Sequence, residues 1–150
     1  MSGQATQPPQ VDPRGLRFAA ALTTVVLAVT LVLNNPWPLA VQAAVFAISV
    51  VFGVQASPYG LLFKRLVRPR LGPPEELEDA APPRFAQLVG LVFAVLGLIG
   101  YLAGVEVLGV VATGFALVAA LVNAAVGLCL GCEAYLLIHR IRTPTTATTT

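Results

Sequence analysis

The chain has 150 residues, 57% of them hydrophobic and 11% charged, a balance too apolar for an ordinary soluble domain of this length. Nine Lys and Arg against seven Asp and Glu leave a net charge of +2, gathered in a few short segments rather than spread over a surface. No basic domain remains outside the apolar runs, which argues against a nucleic-acid partner and for a protein whose first partner is the lipid bilayer.

Residues 1–13 are polar, contain Pro and show no periodicity, so a disordered N-terminus is expected. Four apolar stretches follow, at about 16–33, 39–56, 85–103 and 105–127. Each is close to the roughly 20 residues that cross a hydrocarbon core of about 30 Å. Arg14 and Arg17 ahead of the first run, with Val41-Gln42-Ala43 downstream, also match a signal-peptide pattern. Cleavage there would fall inside the second apolar run, so a retained helix is the expectation.

The first and second spans are joined by Asn34-Asn35-Pro36-Trp37-Pro38, and the third and fourth by the Gly104 region with Glu106. Both read as tight turns between antiparallel neighbours, with Trp37 placed for the headgroup layer. Neither carries a Lys or Arg. Arg14 and Arg17 flank the first span, Lys64, Arg65, Arg68, Arg70 and Arg84 lie between the second and third, and Arg140 and Arg142 follow the fourth. The positive-inside rule then places both termini and the central segment in the cytoplasm.

In that central segment Leu62, Phe63, Leu66 and Val67 interleave with Lys64, Arg65 and Arg68 at helical spacing, which suits a short helix on an anionic membrane surface. Lys64, Arg65, Arg68 and Arg70 are the candidates for contact with lipid or with a docked partner. Pro69 and then Pro73-Pro74 are expected to stop the helix. The acidic run Glu75, Glu76, Glu78 and Asp79 reads as a solvated connection, with a docking patch for a soluble protein as the alternative.

Gln42, Gln87 and Asn123 are polar residues at membrane depth. For each, an interhelical hydrogen bond stands against a substrate or quinone contact. Ala112, Ala116, Ala120 and Ala124 recur every four residues, beside a second small-residue row of Ala119, Asn123, Gly127 and Gly131. Such rows let helix backbones approach closely, within one subunit in the first reading or across a homodimer in the second. Gly100 and Gly104 add a weakly specific G-x-x-x-G.

The fourth apolar run persists from Val105 to Ile138, about 34 residues or roughly 50 Å if helical, too long for one perpendicular crossing. Counting inward from Val105, the membrane boundary falls near Ala124 to Gly127, which leaves a helical extension over 128–142. Cys129 and Cys132 thus lie at the cytoplasmic edge. On a helix Cys129, Cys132, Glu133, His139 and Arg140 share one side, so the latter three are candidate supporting residues for the thiols. A disulfide between helical positions i and i+3 is strained unless the chain bends, and Gly127 and Gly131 offer the bend. A break near Gly127 would put Cys129 in the first turn of a new helix, where a thiol pKa falls. Glu133 would oppose that. His139 lies about 15 Å along a helix from Cys129, so no metal site and no cofactor is expected within one chain. The competing reading is that the cysteines only pack. No Ser/His/Asp set, phosphate loop or carboxylate-rich intramembrane pathway is present, and the lack of ionisable residues within the four spans argues against an ion pump or proton-coupled transporter. The polar tail 143–150 reads as disordered.

"VDPRGLRFAA", "PYGLLFKRLVRPRLGPPEELEDAAPPRFAQ" and "CLGCEAYLL" together resemble the small bacterial membrane family catalogued as DUF family 4395, common in actinobacteria. The resemblance covers about residues 11–142 and implies a multi-helix protein of the bacterial plasma membrane, without an activity to carry over. Its relatives' association with thioredoxin-like or rhodanese-like proteins implies such a cytosolic partner and favours thiol or sulfur chemistry at Cys129 and Cys132. The expected fold is all-α: a four-helix transmembrane bundle over 14–142 with a short interfacial helix in the central cytoplasmic loop. Two functions are expected from it: thiol redox or sulfur relay through Cys129 and Cys132, or a non-enzymatic scaffold or small-solute channel component with structural cysteines.

Overall fold

The structure is a computed structural model that describes residues 10–142. Both flanking segments expected to be disordered, residues 1–9 and 143–150, lie outside the described residues. The protein is an all-α membrane protein. Pro13–Leu33 (α1), Ala81–Leu102 (α5) and Glu106–Val126 (α6) are long and apolar enough to cross a membrane. Pro36–Phe52 (α2) is a shorter apolar helix of 17 residues, about 26 Å long.

The four helices form a ring in which α1 packs on α2 and α6, and α5 packs on α2 and α6. Leu27, Leu39, Ala43, Phe46, Ala94 and Ala116 make its core. At one end the turns are short and locally satisfied. Asn34 closes α1 in the left-handed conformation, and its side chain donates to Glu106 at the start of α6, 2.8 Å away. Asn35 caps α2, accepting from the Trp37 N–H. The α5 end is a Schellman motif: Val105 N–H reaches the Gly100 carbonyl and Gly104 N–H the Tyr101 carbonyl. Beside it Gly100 faces the Gly109 backbone so closely that a Cβ would not fit.

The opposite, basic end is held by arginines. The last carbonyls of a helix have no partner within it, and at a membrane edge a guanidinium can supply one. Arg84 of α5 donates to the Val50 and Val51 carbonyls that end α2, at 2.6 and 3.0 Å. Arg17 of α1 donates to the Ala124 and Ala125 carbonyls that end α6, both at 3.2 Å. Arg14 donates to the Gly72 carbonyl and pairs with Asp12, which caps α1. That pairing holds the Asp12 carboxyl below its ordinary pKa, chiefly through the Arg14 side-chain hydrogen bond.

Two expectations are corrected at this end. Residues 10–13, expected to be disordered, are ordered: Gln10–Val11 (β1) pairs antiparallel with Glu78–Asp79 (β2), Val11 is 3% exposed, and α1 already begins at Pro13. Pro13 suits that first helical position because its missing N–H would have had no partner there. The central helix does not stop at Pro69. Pro58–Leu62 (α3) runs through a π turn at Phe63–Val67 into Arg68–Leu71 (α4), and the stop is Gly72. Pro69 falls in the first turn of α4, where it needs no N–H donor, and the π turn before it closes Arg68 N–H on the Phe63 carbonyl. Phe63 is the buried anchor of this segment, packed on Phe18, while Lys64, Arg65, Arg68 and Arg70 stay exposed.

Candidate functional site: a disulfide at a helix start beside an intramembrane cavity

The long fourth apolar run breaks where its glycine allows. Gly127 ends α6 with φ 76° and ψ 9°, a left-handed conformation that costs an L residue about 1–2 kcal/mol. Its N–H bonds to the Asn123 carbonyl, and the guanidinium end of Arg17 lies beside it. The chain restarts as Leu130–Arg142 (α7).

Cys129 is therefore the capping residue of α7. Its carbonyl accepts the Glu133 N–H at 3.0 Å, the first bond of the new helix. Its Sγ accepts the Cys132 N–H at 3.2 Å, as a capping side chain does. Cys129 lies 5.1 Å from Cys132, Cα to Cα, and the two are joined as a disulfide. Both cysteines are half-buried. Gly131, between them, rests on Ala86 of α5 with no room for a Cβ, which seats the cysteine turn directly on the bundle.

The three candidate supporting residues are not gathered around the sulfurs. Glu133 is exposed on the first turn of α7. His139 stacks on Tyr135, ring centroids 5.9 Å apart and nearly parallel, and Tyr135 packs in turn on Phe85 of α5. His139 thus packs two turns beyond Cys132, and Arg140 next to it is exposed. Among the described residues no three His, Cys, Asp or Glu side chains are grouped to hold a metal ion.

Inside the ring, at the basic end, lies a cavity of about 500 Å³ with Cys129 in its wall. Lys64 and Arg68 stand at its mouth; Thr23, Phe93 and Ala116, each near the middle of its helix, form its inner end. The cavity therefore reaches about halfway through the bundle. The three intramembrane amides now separate. Gln42 is fully buried and structural: its Nε2 donates to Thr23 Oγ1 at 3.2 Å, and its Oε1 accepts from Tyr59 OH at 2.7 Å. Burial raises the Tyr59 pKa, so the phenol stays protonated as donor. Gln87 and Asn123 line the cavity, and neither side chain is tied to another described residue.

Arg17 was legible only as a topology signal. Its second role, clamping the chain just before Gly127, could have been suspected from a basic residue lying in the second turn of an apolar helix.

These features belong to a multi-pass α-helical membrane protein whose one covalent crosslink sits at a helix start, among the described residues. A family model described as "Domain of unknown function (DUF4395)" matches residues 11–140, and the chain belongs to that family. No curated protein and no solved structure matches it.

Proposed function

We propose that this protein is a thiol-redox or sulfur-relay protein of the bacterial plasma membrane, working through Cys129 and Cys132 at the cytoplasmic face. The observation that carries the reading is the position of Cys129 as the cap of α7, with the Cys132 N–H on its sulfur. Once the disulfide is reduced, that N–H and the positive end of the helix dipole favour the Cys129 thiolate. Reaction then runs by exchange. A partner dithiol attacks the disulfide, a mixed disulfide forms, and the second partner thiolate releases it, leaving Cys129 and Cys132 as thiols and the partner oxidised; the reverse sequence reduces the partner.

The orientation follows from charge. All nine Lys and Arg fall at one end or in the segments leading from it, and the positive-inside rule makes that end cytoplasmic. There the exposed Lys64, Arg65, Arg68 and Arg70 lie on the anionic leaflet, and a thioredoxin-like or rhodanese-like protein docks beside them. The test is partner capture. Cys132→Ser leaves a nucleophile that cannot be resolved and is expected to retain a disulfide-linked partner. Cys129→Ser should capture far less. If neither variant changes thiol reactivity or captures a partner, the redox reading falls and the cysteines are packing residues.

A further inference from the structure

The cavity joins three features that packing alone does not require in one place. Cys129 forms part of its wall, at the basic end. Asn123, one turn before α6 ends, and Gln87, two turns into α5, bring two carboxamides to the same cavity wall, neither with a side-chain partner among the described residues. At the inner end the wall includes the Phe93–Phe115 ring pair, centroids 6.1 Å apart, and Phe115 is also 62% exposed on the outside of the bundle. The cavity thus meets the lipid-facing seam between α5 and α6.

A ligand matched to this arrangement has a flat polar head that accepts hydrogen bonds from amides. It also has an apolar tail that can leave through the seam, and it exchanges two electrons with a dithiol. The volume, about 500 Å³, suits a head of that size with the first part of a tail. An acyl chain alone would leave both amides unused.

We propose that this cavity binds a lipid-soluble quinone as the electron acceptor of the Cys129–Cys132 dithiol, an inference that rests on the thiol-redox reading. The Cys129 thiolate adds to a ring carbon of the quinone. The Cys132 thiolate then attacks Cys129 Sγ; the S–S bond forms as the C–S bond breaks. The bonding pair stays on the ring, which takes up two protons, so one dithiol becomes a disulfide and one quinone a hydroquinone. Asn123 and Gln87 donate hydrogen bonds to the ring oxygens as negative charge develops there.

The test uses the full chain in phosphatidylcholine nanodiscs, reduced, freed of reductant and kept anaerobic, with a decyl-tailed, fully substituted benzoquinone as probe. The expected result is one hydroquinone per cysteine pair, read by absorbance, with matching loss of alkylatable thiol. The Cys129→Ser/Cys132→Ser double variant should bind the quinone and form no hydroquinone. Asn123→Leu and, independently, Ala120→Phe should slow the reaction at least tenfold while leaving oxidation by glutathione disulfide unchanged. Thiols that exchange with glutathione disulfide but reduce the quinone no faster than those two variants do would overturn the quinone proposal alone. Thiols inert to both oxidants would overturn it together with the redox reading. A cavity that retains only acyl chains, undisplaced by the probe, would also overturn it.

Discussion

At one end of the bundle α1 passes to α2 through Asn34 and Asn35, and α5 to α6 through three residues; at the other, more than 25 residues separate α2 from α5. The short turns satisfy their own backbone, with an Asn cap and a Schellman motif, and beside them Gly100 packs on Gly109 with no space to spare. The basic end borrows its satisfaction from distant side chains, Arg17 for α6 and Arg84 for α2, and encloses a cavity with a disulfide in its wall. The difference teaches where function can be placed. Glycine contacts and local caps draw the helices together at the turn end, while side-chain clamps at the basic end leave room between them for a ligand.

The strongest way to break this contrast is at the closed end. Gly100→Leu would drive a side chain into the Gly109 backbone, and overpacking of this kind costs about 3 kcal/mol. Thermal unfolding in lipid should show the loss, with thiol reactivity in the surviving folded fraction unchanged. A folded Gly100→Leu protein of undiminished stability would refute the close packing.

A smaller effect is expected at the hinge. Gly127→Ala must hold a left-handed backbone, at about 1–2 kcal/mol, or straighten the break. Straightening removes Cys129 from its capping position, so the pH at which its reduced thiol reacts with iodoacetamide should rise. An unchanged alkylation profile alongside lowered stability would separate the hinge from the reactivity.

The smallest effect concerns the N-terminal tack. Asp12→Ala removes the α1 cap, for about 1 kcal/mol. Its pH dependence has a definite sign. The folded Asp12 pKa lies below the ordinary value, so its stabilisation is complete above that value and is lost as pH falls through the folded pKa. Wild-type stability should therefore decline below about pH 4 more steeply than that of Asp12→Asn, measured by acid unfolding.

Some of the site was already legible from residues alone. Gly127 within an apolar run too long for one crossing announced a break, and C-x-x-C just beyond it announced where thiols would sit. Asn35-Pro36 and Gly104 marked the turns, because a cap or a left-handed glycine acts within four residues of itself. Pro69 misled because proline is harmless in the first turn of a helix, and a π turn ahead of it provides that turn. The ordered Gln10–Val11 was missed because its partner, Glu78–Asp79, is far along the chain.

The amides show the division most clearly. Gln42, Gln87 and Asn123 looked alike as polar residues in apolar spans, yet Gln42 is fully buried between Thr23 and Tyr59 while the other two face open volume. The sequence by itself determined the apolar helices, their turns, the concentration of basic charge and the position of the cysteines at a helix boundary, since hydropathy, capping and backbone freedom are properties of neighbouring residues. Only the tertiary structure decided which amide was structural, what Arg17 clamps and where a cavity opens beside Cys129, because hydrogen-bond partners and empty space are made by helices that meet from distant parts of the chain.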